Sequence, residues 1–494
     1  MSRSVYPSHR LSAPIALGLA LCGGALAAHS APFAQGDRGD FSIDAYTPSS
    51  ADSVGGRASL DLHLSSLQTR VQASVERGGV QAADDPFAMA QRGQSWTGSQ
   101  ARLTTVWTPG PGASVEFDLT NQLKRSLAQL DPLQPQIPGQ LTSTRSQSAK
   151  LTASLTPFSP IELRVGGEAT SGSVDTIAFP TFGAVVAASN LRNDTGRAFA
   201  DITWKPAARF SVQAGDGFET LGVAAGASSA SGATYAHLTP HVAGSFTPWT
   251  DAEWSLSAEH AVSPPDAAQF AAFITTPDRQ AAASFQPDRA WRYVASVKQT
   301  LRGDVSLSAS LTQSNLQSVT DLGPVGLIQA PVSIGAGQRR QVDLAVSAPL
   351  PLPWLPPAKL SASANWLQSE VTDPFTGARR PISGDAPYRA QMNLTGQFAK
   401  LPLTWALKAQ VSGPQAVYQM SQVDLFSPTA GLGGALNYKA GKLVVGLQLE
   451  NIIGGGRTDT AITYAGSRAI NLPEGARQTF DDGRAVRISL SRPL

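Results

Sequence analysis

Apolar and polar residues alternate along most of the chain, and the alternation comes in pairs of segments joined by short turns. Residues 101–107 carry mostly apolar side chains at every second position, and residues 113–119 repeat the pattern after the Pro/Gly-rich turn at 108–112. Alternation with a period of two places one set of side chains on one face of a β-strand. Each pair of segments therefore predicts a β-hairpin with one apolar and one polar face.

The same pattern predicts a series of hairpins along the chain. They fall within residues 60–75, 149–167, 198–214, 242–258, 293–311, 342–366, 392–409 and 432–449. Their strands have about 9–11 residues, the length that a tilted strand needs to cross a bilayer. Longer polar loops are predicted at residues 122–147, 170–195, 262–290, 312–337, 371–387 and 452–482. Short turns at one end and long loops at the other are typical of outer-membrane barrels.

The chain ends inside one more alternating strand, in which Val486, Ile488 and Leu490 share a face with Leu494. A terminal strand leaves an open edge unless it pairs on both sides. We therefore expect it to close the sheet against the first strand, which is predicted to begin near Phe41. The predicted fold is all-β, a transmembrane antiparallel outer-membrane β-barrel of about 18–22 strands. A barrel of that size encloses a lumen that side chains cannot fill.

Composition agrees with strands that have one apolar and one polar face. Charged residues make up 15% of the chain and apolar residues 42%, whereas soluble domains average about 25% charged residues. The formal net charge of +2 gives no basic bias that would favour a nucleic-acid partner. Beyond the N-terminal segment the sequence contains no apolar run of the ~20 residues that a membrane helix needs. A membrane-embedded chain would therefore span as strands.

The first 31 residues are predicted to be a secretory signal peptide. Arg3 and Arg10 precede a short apolar stretch, and cleavage is expected after Ala27 or Ala31. The single cysteine, Cys22, lies in this segment; a lipoprotein cysteine is the alternative, although the preceding leucine is bulkier than the usual small residue. Residues 32–494 would form one barrel domain without cysteine, which excludes a thiol nucleophile. The expected location is the outer membrane of a Gram-negative bacterium.

Aromatic residues cluster near the predicted short turns. The set comprises Trp107, Trp204, Phe210, Trp249, Trp254, Trp354 and Trp405. An aromatic girdle at one membrane interface would have this distribution, although aromatic residues are also common in strands generally.

The histidines are the main candidates for chemistry. His237 and His241 are an even number of residues apart and could share a strand face, but Pro240 lies between them and no third ligand is near in sequence. No stretch singles out a serine nucleophile, and the Arg302-Gly303-Asp304 tripeptide reads as a turn. We therefore predict no enzyme activity, no metal site and no cofactor.

The last part of the chain resembles the barrel of the TonB-dependent outer-membrane receptor family. Residues 447–453, Leu-Gln-Leu-Glu-Asn-Ile-Ile, are similar to the end of that family's penultimate strand, and Gly483-Arg484 precede a similar final strand. The resemblance implies that Asn451 ends its strand in a turn. Leu494 stands where the family has an aromatic residue, which affects recognition by the barrel-assembly machinery. About 10–15 residues separate the predicted cleavage site from the first predicted strand near Phe41, so we expect no plug domain and no coupling to TonB.

Three functions fit these observations. The first is a channel or transporter for small solutes in outer-membrane lipid, with a polar lumen that includes Glu116, Asp118, Lys150, Glu162 and Arg164. The second is a non-transport barrel whose long extracellular loops bind a ligand or partner. The third, a secreted soluble β-sandwich, leaves the wide apolar face unexplained. The loops show no acidic cage, aromatic sugar slide or cationic cluster that would name a solute.

Overall fold

A computed structural model describes most of the chain. The described residues are 38–46, 53–64, 66–78, 94–128, 139–179, 187–225, 232–263, 287–325, 328–350, 358–398, 401–441, 443–453, 457–481 and 484–491. Within these ranges the regular structure consists of β-strands. Helices long and apolar enough to cross a membrane are absent from this part of the chain.

Twenty-eight strands are formed by the described residues. They are β1 (Arg38–Tyr46), β2 (Ser53–His63), β3 (Leu67–Gly78), β4 (Gln94–Gly110), β5 (Ala113–Ala128), β6 (Gly139–Phe158), β7 (Ile161–Phe179), β8 (Ala187–Ala207), β9 (Phe210–Ala225), β10 (Gly232–Leu238), β11 (His241–Phe246), β12 (Ala252–Ser263), β13 (Asp288–Leu301), β14 (Val305–Ser318), β15 (Thr320–Val325), β16 (Ile328–Ser333), β17 (Gly337–Leu350), β18 (Ala358–Thr372), β19 (Arg379–Arg380), β20 (Tyr388–Gln397), β21 (Leu403–Ser412), β22 (Gln415–Tyr418), β23 (Gln422–Phe426), β24 (Thr429–Ala440), β25 (Leu443–Ile453), β26 (Arg457–Tyr464), β27 (Pro473–Asp481) and β28 (Ala485–Ser491).

The chain divides into two compact units. The first comprises Met1–Pro157, Glu162–Ala200 and Leu221–Ser229, and the second comprises Phe158–Ile161, Asp201–Thr220 and Ala230–Leu494.

Successive strands of the first unit pair antiparallel from β1 to β6. The predicted hairpin at residues 60–75 is confirmed, because Leu60 lies opposite Val71. The turn between β4 and β5 is also confirmed, and Gly112 adopts a φ of 77° there, a conformation that glycine reaches without steric cost.

The main strands of the second unit follow the same antiparallel order. The chain of pairs runs through β11, β12, β13, β14, β17, β18, β20, β21, β24, β25 and β28. The predicted Arg302–Asp304 turn joins β13 to β14, with Gly303 at φ 76° and Asp304 at φ 61°. Such left-handed residues match the twist of tight hairpins.

The strand number agrees with the sequence prediction. Twenty-two strands belong to one antiparallel sheet, in which β10 and β11 both pair with β9. Thr239 and Pro240 separate β10 from β11. Proline has no N–H group to donate to the ladder, so the strand is interrupted there. Counting β10 and β11 as one interrupted strand and setting aside the two-residue β19 leaves 20 long strands.

The predicted lengths of strands and loops need correction. The strands β4 to β9 contain 16 to 21 residues, because polar segments beyond the apolar stretch continue the pairing. Three of the predicted loops also contain strands, and residues 371–387 include the two-residue β19. Residues 312–337 include the hairpin of β15 and β16, and residues 452–482 include β26 and β27, which join β22 and β23 in a four-stranded sheet. This sheet is assembled from distant segments, so no local pattern indicates it.

The predicted turn at Asn451 is also wrong. The strand β25 continues to Ile453, while Asn451 adopts a φ of 49° and the register with β24 shifts between Leu432 and Gly434. Asparagine is one of the few residues that tolerate this conformation. The Asn451 Oδ1 atom lies 2.5 Å from where a Cβ on Gly431 would stand. The irregularity therefore depends on both residues.

One face of the sheet in the second unit is apolar and exposed. Leu311, Val342 and Trp366 lie side by side on β14, β17 and β18 and are 54%, 37% and 49% exposed. The same face becomes polar two residues beyond Leu311 and Val342, at Gln313 and Arg340. There Arg340 Nε donates to Gln313 Oε1 at 2.9 Å. An exposed apolar band with a polar border fits the hydrocarbon layer of a bilayer.

This assignment predicts an asymmetry between neighbouring positions of β17. Leu344 belongs to the apolar face, whereas Ala345 faces the opposite side. We expect Leu344→Arg to lower the free energy of unfolding in lipid vesicles by about 2–4 kcal/mol, because the guanidinium enters hydrocarbon. Denaturant titration measures this change. Ala345→Arg is the matched control and should cost less than about 1 kcal/mol; equal costs at both positions would contradict the assignment.

Candidate functional site: a polar wall and a charged loop cluster

The face opposite the apolar band is polar. At its centre in the second unit, Asp343 accepts hydrogen bonds from Ser310 Oγ at 3.3 Å and Asn365 Nδ2 at 2.7 Å. A concave space of about 760 Å³ lies against this face, and its lining includes Lys298 and Arg389. We call this surface the polar wall. Its amides, hydroxyls and charged groups can exchange hydrogen bonds with water or with a polar solute.

Charges on the polar wall are paired across strands. Arg292 Nε lies 3.1 Å from Glu259 Oε1, and both side chains remain about two-fifths exposed, at 43% and 41%. His241 Nε2 lies 3.1 Å from Asp201 Oδ1. Arg292 and Glu259 therefore place charges of both signs on the wall.

Three of the five predicted lumen residues, Glu116, Asp118 and Lys150, share one polar face in the first unit. Asp118 lies opposite Lys150 in the register of β5 and β6 and accepts from Arg102 Nε at 2.8 Å. Glu116 lies opposite Thr152. The other two predicted residues, Glu162 and Arg164, alternate with exposed apolar residues of β7.

A second cluster connects the loops of the second unit, and Asp373 is its centre. The carboxylate accepts from Arg380 Nε at 2.7 Å and from Arg468 Nη2 at 2.8 Å. Its other oxygen accepts from the backbone N–H groups of Phe375 and Thr376 at 2.9 and 3.0 Å. The two arginines come from β19 and from the segment between β26 and β27, so one carboxylate joins two loops.

Asp321 and Tyr418 extend this cluster to two further segments. Arg380 Nη1 donates to Asp321 Oδ2 in β15 at 3.0 Å. The Tyr418 ring, in β22, lies 4.4 Å from the Arg380 guanidinium carbon and 5.6 Å from that of Arg468. Asp321, Asp373, Arg380, Tyr418 and Arg468 are called the loop cluster below.

The loop cluster is buried and electrically balanced. The side chains of Asp321, Asp373, Arg380 and Arg468 are 6%, 1%, 5% and 8% exposed. Two cations and two anions leave no net charge, which is a condition for burying ions without a large desolvation cost. A small apolar core of Val319, Val371 and Ile382 lies within the same loops. The loops therefore form a folded body.

Arg339 connects this body to the polar wall. It lies on β17 one residue away from the outward-facing Arg340, and its Nη2 donates to both carboxylate oxygens of Asp385 at 3.0 Å. Asp385 belongs to the segment between β19 and β20. An arginine–carboxylate pair joined by hydrogen bonds to both carboxylate oxygens is geometrically specific. This pair therefore holds the segment against the polar side of the sheet.

The pKa of Asp373 reflects these contacts. Burial alone would raise it, but hydrogen bonds from Arg468, from the backbone of Phe375 and Thr376, and from Arg380 outweigh burial and lower the pKa from 3.8 to about 2. Asp373 is therefore ionised throughout the physiological pH range.

None of the loop-cluster residues was predicted from the sequence. A local signal was present, since Asp373-Pro374 followed by Gly377 is typical of a turn. Arg380 and Asp321 are 59 residues apart, however, and Arg468 and Asp373 are 95 apart. Sequence spacing alone does not indicate such pairs.

Most of the predicted girdle residues are exposed near short turns. Trp107, Trp204, Phe210, Trp249 and Trp254 are 48%, 48%, 38%, 51% and 47% exposed. Trp405 differs, since it is 8% exposed and its ring lies over Gly396, where a Cβ would come within 2.7 Å of the indole. Trp354 lies outside the described residues. The girdle itself stays a prediction.

The C-terminal strand pairs with β25, and Leu490 lies opposite Val445. Val486 and Ile488 are 70% and 75% exposed. Arg484 precedes the strand and is exposed, whereas Gly483 and Leu494 lie outside the described residues. Closure of β28 against β1 stays a prediction.

The histidine pair does not form a continuous strand face. His237 is in β10 and His241 in β11, with Thr239-Pro240 between the two strands. In the described ranges there is no group of three or more His, Cys, Asp or Glu side chains that could hold a metal ion.

No family model matches the sequence, and no curated protein matches it either. Solved structures do match the fold. The siderophore receptor PiuA from Acinetobacter baumannii aligns with a TM-score of 0.60 at 11% identity, over 93% of this chain and 78% of the receptor. The ferric yersiniabactin uptake receptor FyuA from Yersinia pestis gives a TM-score of 0.58 at 14% identity, over 93% and 76%.

A third similar structure is the FrpB iron transporter from Neisseria meningitidis, with a TM-score of 0.58 at 10% identity, over 92% of this chain and 77% of the transporter. Such identities indicate the fold alone. The fold is therefore that of an antiparallel outer-membrane β-barrel, as the sequence predicts, and the predicted resemblance to the TonB-dependent receptor family extends to the fold.

The loop cluster predicts a strong effect of removing one charge. We expect Asp373→Asn to lower the free energy of opening of the loops by about 3 kcal/mol, because two buried guanidiniums lose their shared carboxylate. Hydrogen exchange of the loop amides measures this quantity. Glu370→Gln is the matched control, since its ion pair with Arg379 is exposed, and should change it by less than about 0.5 kcal/mol. A similar effect of both variants would contradict a structural role for the cluster.

The lowered pKa of Asp373 predicts a specific pH dependence. Because the pKa of Asp373 is lower in the folded loops than the ordinary 3.8, its ionisation stabilises the folded loops. This contribution is fully present above about pH 3.8 and is lost as the pH falls toward about 2. We expect constant loop protection from about pH 7 to pH 5 and a loss on the order of 2 kcal/mol between about pH 4 and pH 2. Hydrogen exchange corrected for its intrinsic pH dependence measures it. Asp373→Asn should remove this step; a step of equal size in the variant would assign it elsewhere.

Proposed function

We propose that this protein is an outer-membrane channel or transporter for small solutes. The observation that supports this most directly is the contrast between the two faces of the sheet, an exposed apolar band on one side and the hydrated polar wall on the other. The similar structures named above are a siderophore receptor, an uptake receptor and an iron transporter. The protein would reach the outer membrane after cleavage of residues 1–31 and would be inserted there by the barrel-assembly machinery.

The segment between β19 and β20 gives the proposed path a partial cover. Arg339 and Asp385 hold the segment between β19 and β20 against the polar wall, so a solute moving along the wall would meet this segment. The proposal includes passage without coupling to TonB, as the sequence predicts, and without any catalytic step.

The alternative function is a non-transport barrel whose loops bind a ligand or partner. The folded, electrically balanced loop body favours it, because a rigid loop surface can act in recognition without a conducting path.

Conductance across a planar bilayer distinguishes the two functions. We expect the detergent-purified protein to give steady single-channel steps. Asp385→Asn should enlarge the conductance steps. The neutral amide cannot accept hydrogen bonds from Arg339 at both of its side-chain positions, so the segment is held less firmly against the wall. The measurement compares step sizes at a fixed salt concentration.

Glu370→Gln is the control and should leave the step size unchanged, since it removes an exposed ion pair. Heat-modifiable migration in gel electrophoresis verifies that each variant is a folded barrel. A folded but silent protein would contradict the transport proposal and favour binding by the loops.

A further inference from the structure

A cavity of about 490 Å³ lies between the C-terminal end of β18 and the sheet of β22, β23 and β26. It is called the cap cavity here. Leu367 and Ser369 of β18 form one side, and Leu425 and Thr460 of the small sheet form the other. Sites for drug-sized ligands typically measure about 300–1,000 Å³, so the cap cavity has the size to hold one.

The lining of the cap cavity is predominantly apolar. The apolar contributors are Leu367, Pro381, Pro387, Pro414, Ala416, Leu425 and Phe426. Amide and hydroxyl groups of six residues are placed among them, from Gln368, Ser369, Gln415, Ser427, Thr458 and Thr460. Three prolines and short strands hold these groups with little conformational freedom, which lowers the entropic cost of binding.

Charge is nearly absent from this lining. Among the described residues that line the cavity, Asp385 is the one ionisable side chain, and Arg339 already engages both of its oxygens. The other nearby arginines, Arg380 and Arg468, are turned into the loop cluster and paired with Asp373. A ligand with a net charge would lose its hydration without gaining a counter-ion, which is costly.

We propose that the cap cavity binds an uncharged, largely apolar small molecule that carries a few hydroxyl or carbonyl groups. This inference rests on the proposed function, since it names the class of solute that the barrel would capture. The same loops could have presented a cationic cluster for an anionic ligand, but Arg339, Arg380 and Arg468 are paired with Asp385, Asp321 and Asp373. The selectivity therefore comes from the absence of a free charge in the cavity.

A cysteine at position 460 tests the proposal. The probes are testosterone, which is uncharged with one hydroxyl and one carbonyl group, and testosterone sulfate, which has the same skeleton and a negative charge. In a Cys22→Ser background, testosterone should slow the labelling of Thr460→Cys by a neutral maleimide at least about fivefold, which corresponds to about 1 kcal/mol. Testosterone sulfate should slow it less than twofold.

Two controls separate binding from partition into detergent. Arg302→Cys, in the exposed turn between β13 and β14, should label at the same rate with and without either steroid. Adding Leu425→Trp should abolish protection by filling the cavity, whereas Leu401→Trp, at a 53% exposed leucine, should leave it intact.

The proposal is overturned if testosterone gives no protection, if the sulfate protects equally or better, or if protection survives Leu425→Trp. Each result is independent of conductance. Protection in a silent barrel would support the cavity and refute transport, and conductance without protection would do the reverse.

Discussion

Pairing of the backbone along each strand is the constraint on which the remaining structure depends. In a bilayer every N–H and C=O group needs an internal partner, and the pleat then assigns neighbouring side chains to opposite solvents. A slip by one residue would expose Asp343 to the apolar side and Leu344 to the polar wall. The observed register keeps Ser310, Asp343 and Asn365 in one row, and this row is what makes the wall polar.

The loops satisfy a different constraint. Water can supply partners for their backbone groups, so they need not fold to satisfy hydrogen bonds. They nevertheless form two small sheets and bury four charged side chains, which is stable because the charges balance and Asp373 receives four hydrogen bonds. The buried ions also fix the alignment of the loops, since each arginine requires a partner from a different segment. The alignment of the loop segments thus depends on electrostatics as well as on the apolar core of Val319, Val371 and Ile382.

The sequence predicted what depends on local periodicity. A period of two identifies the hairpins, and residues such as Gly303 and Asp304 mark the turns because their backbone conformation is local. Loop pairs such as Arg468 and Asp373 depend on chain closure over 95 residues and leave no periodic signal. Trp405 shows the same limit at one position. Its sequence context resembles that of the exposed tryptophans, and only the opposing Gly396 explains why it lies buried.

The cap cavity and the polar wall differ in chemistry, and this difference bears on the proposed transport. An uncharged apolar solute would be bound most strongly where Leu425, Phe426 and the prolines enclose it. Along the wall it would meet hydrated pairs such as Arg292 and Glu259, which offer it little. Its affinity would therefore fall from the loops toward the wall, so that leaving the cavity is the uphill step and net passage follows the concentration gradient of the solute. A charged solute would experience the opposite gradient, because the wall has ionic partners and the cavity has none that is free. The arrangement thus favours binding of neutral molecules at the loops, while the polar groups of the wall can form hydrogen bonds with water.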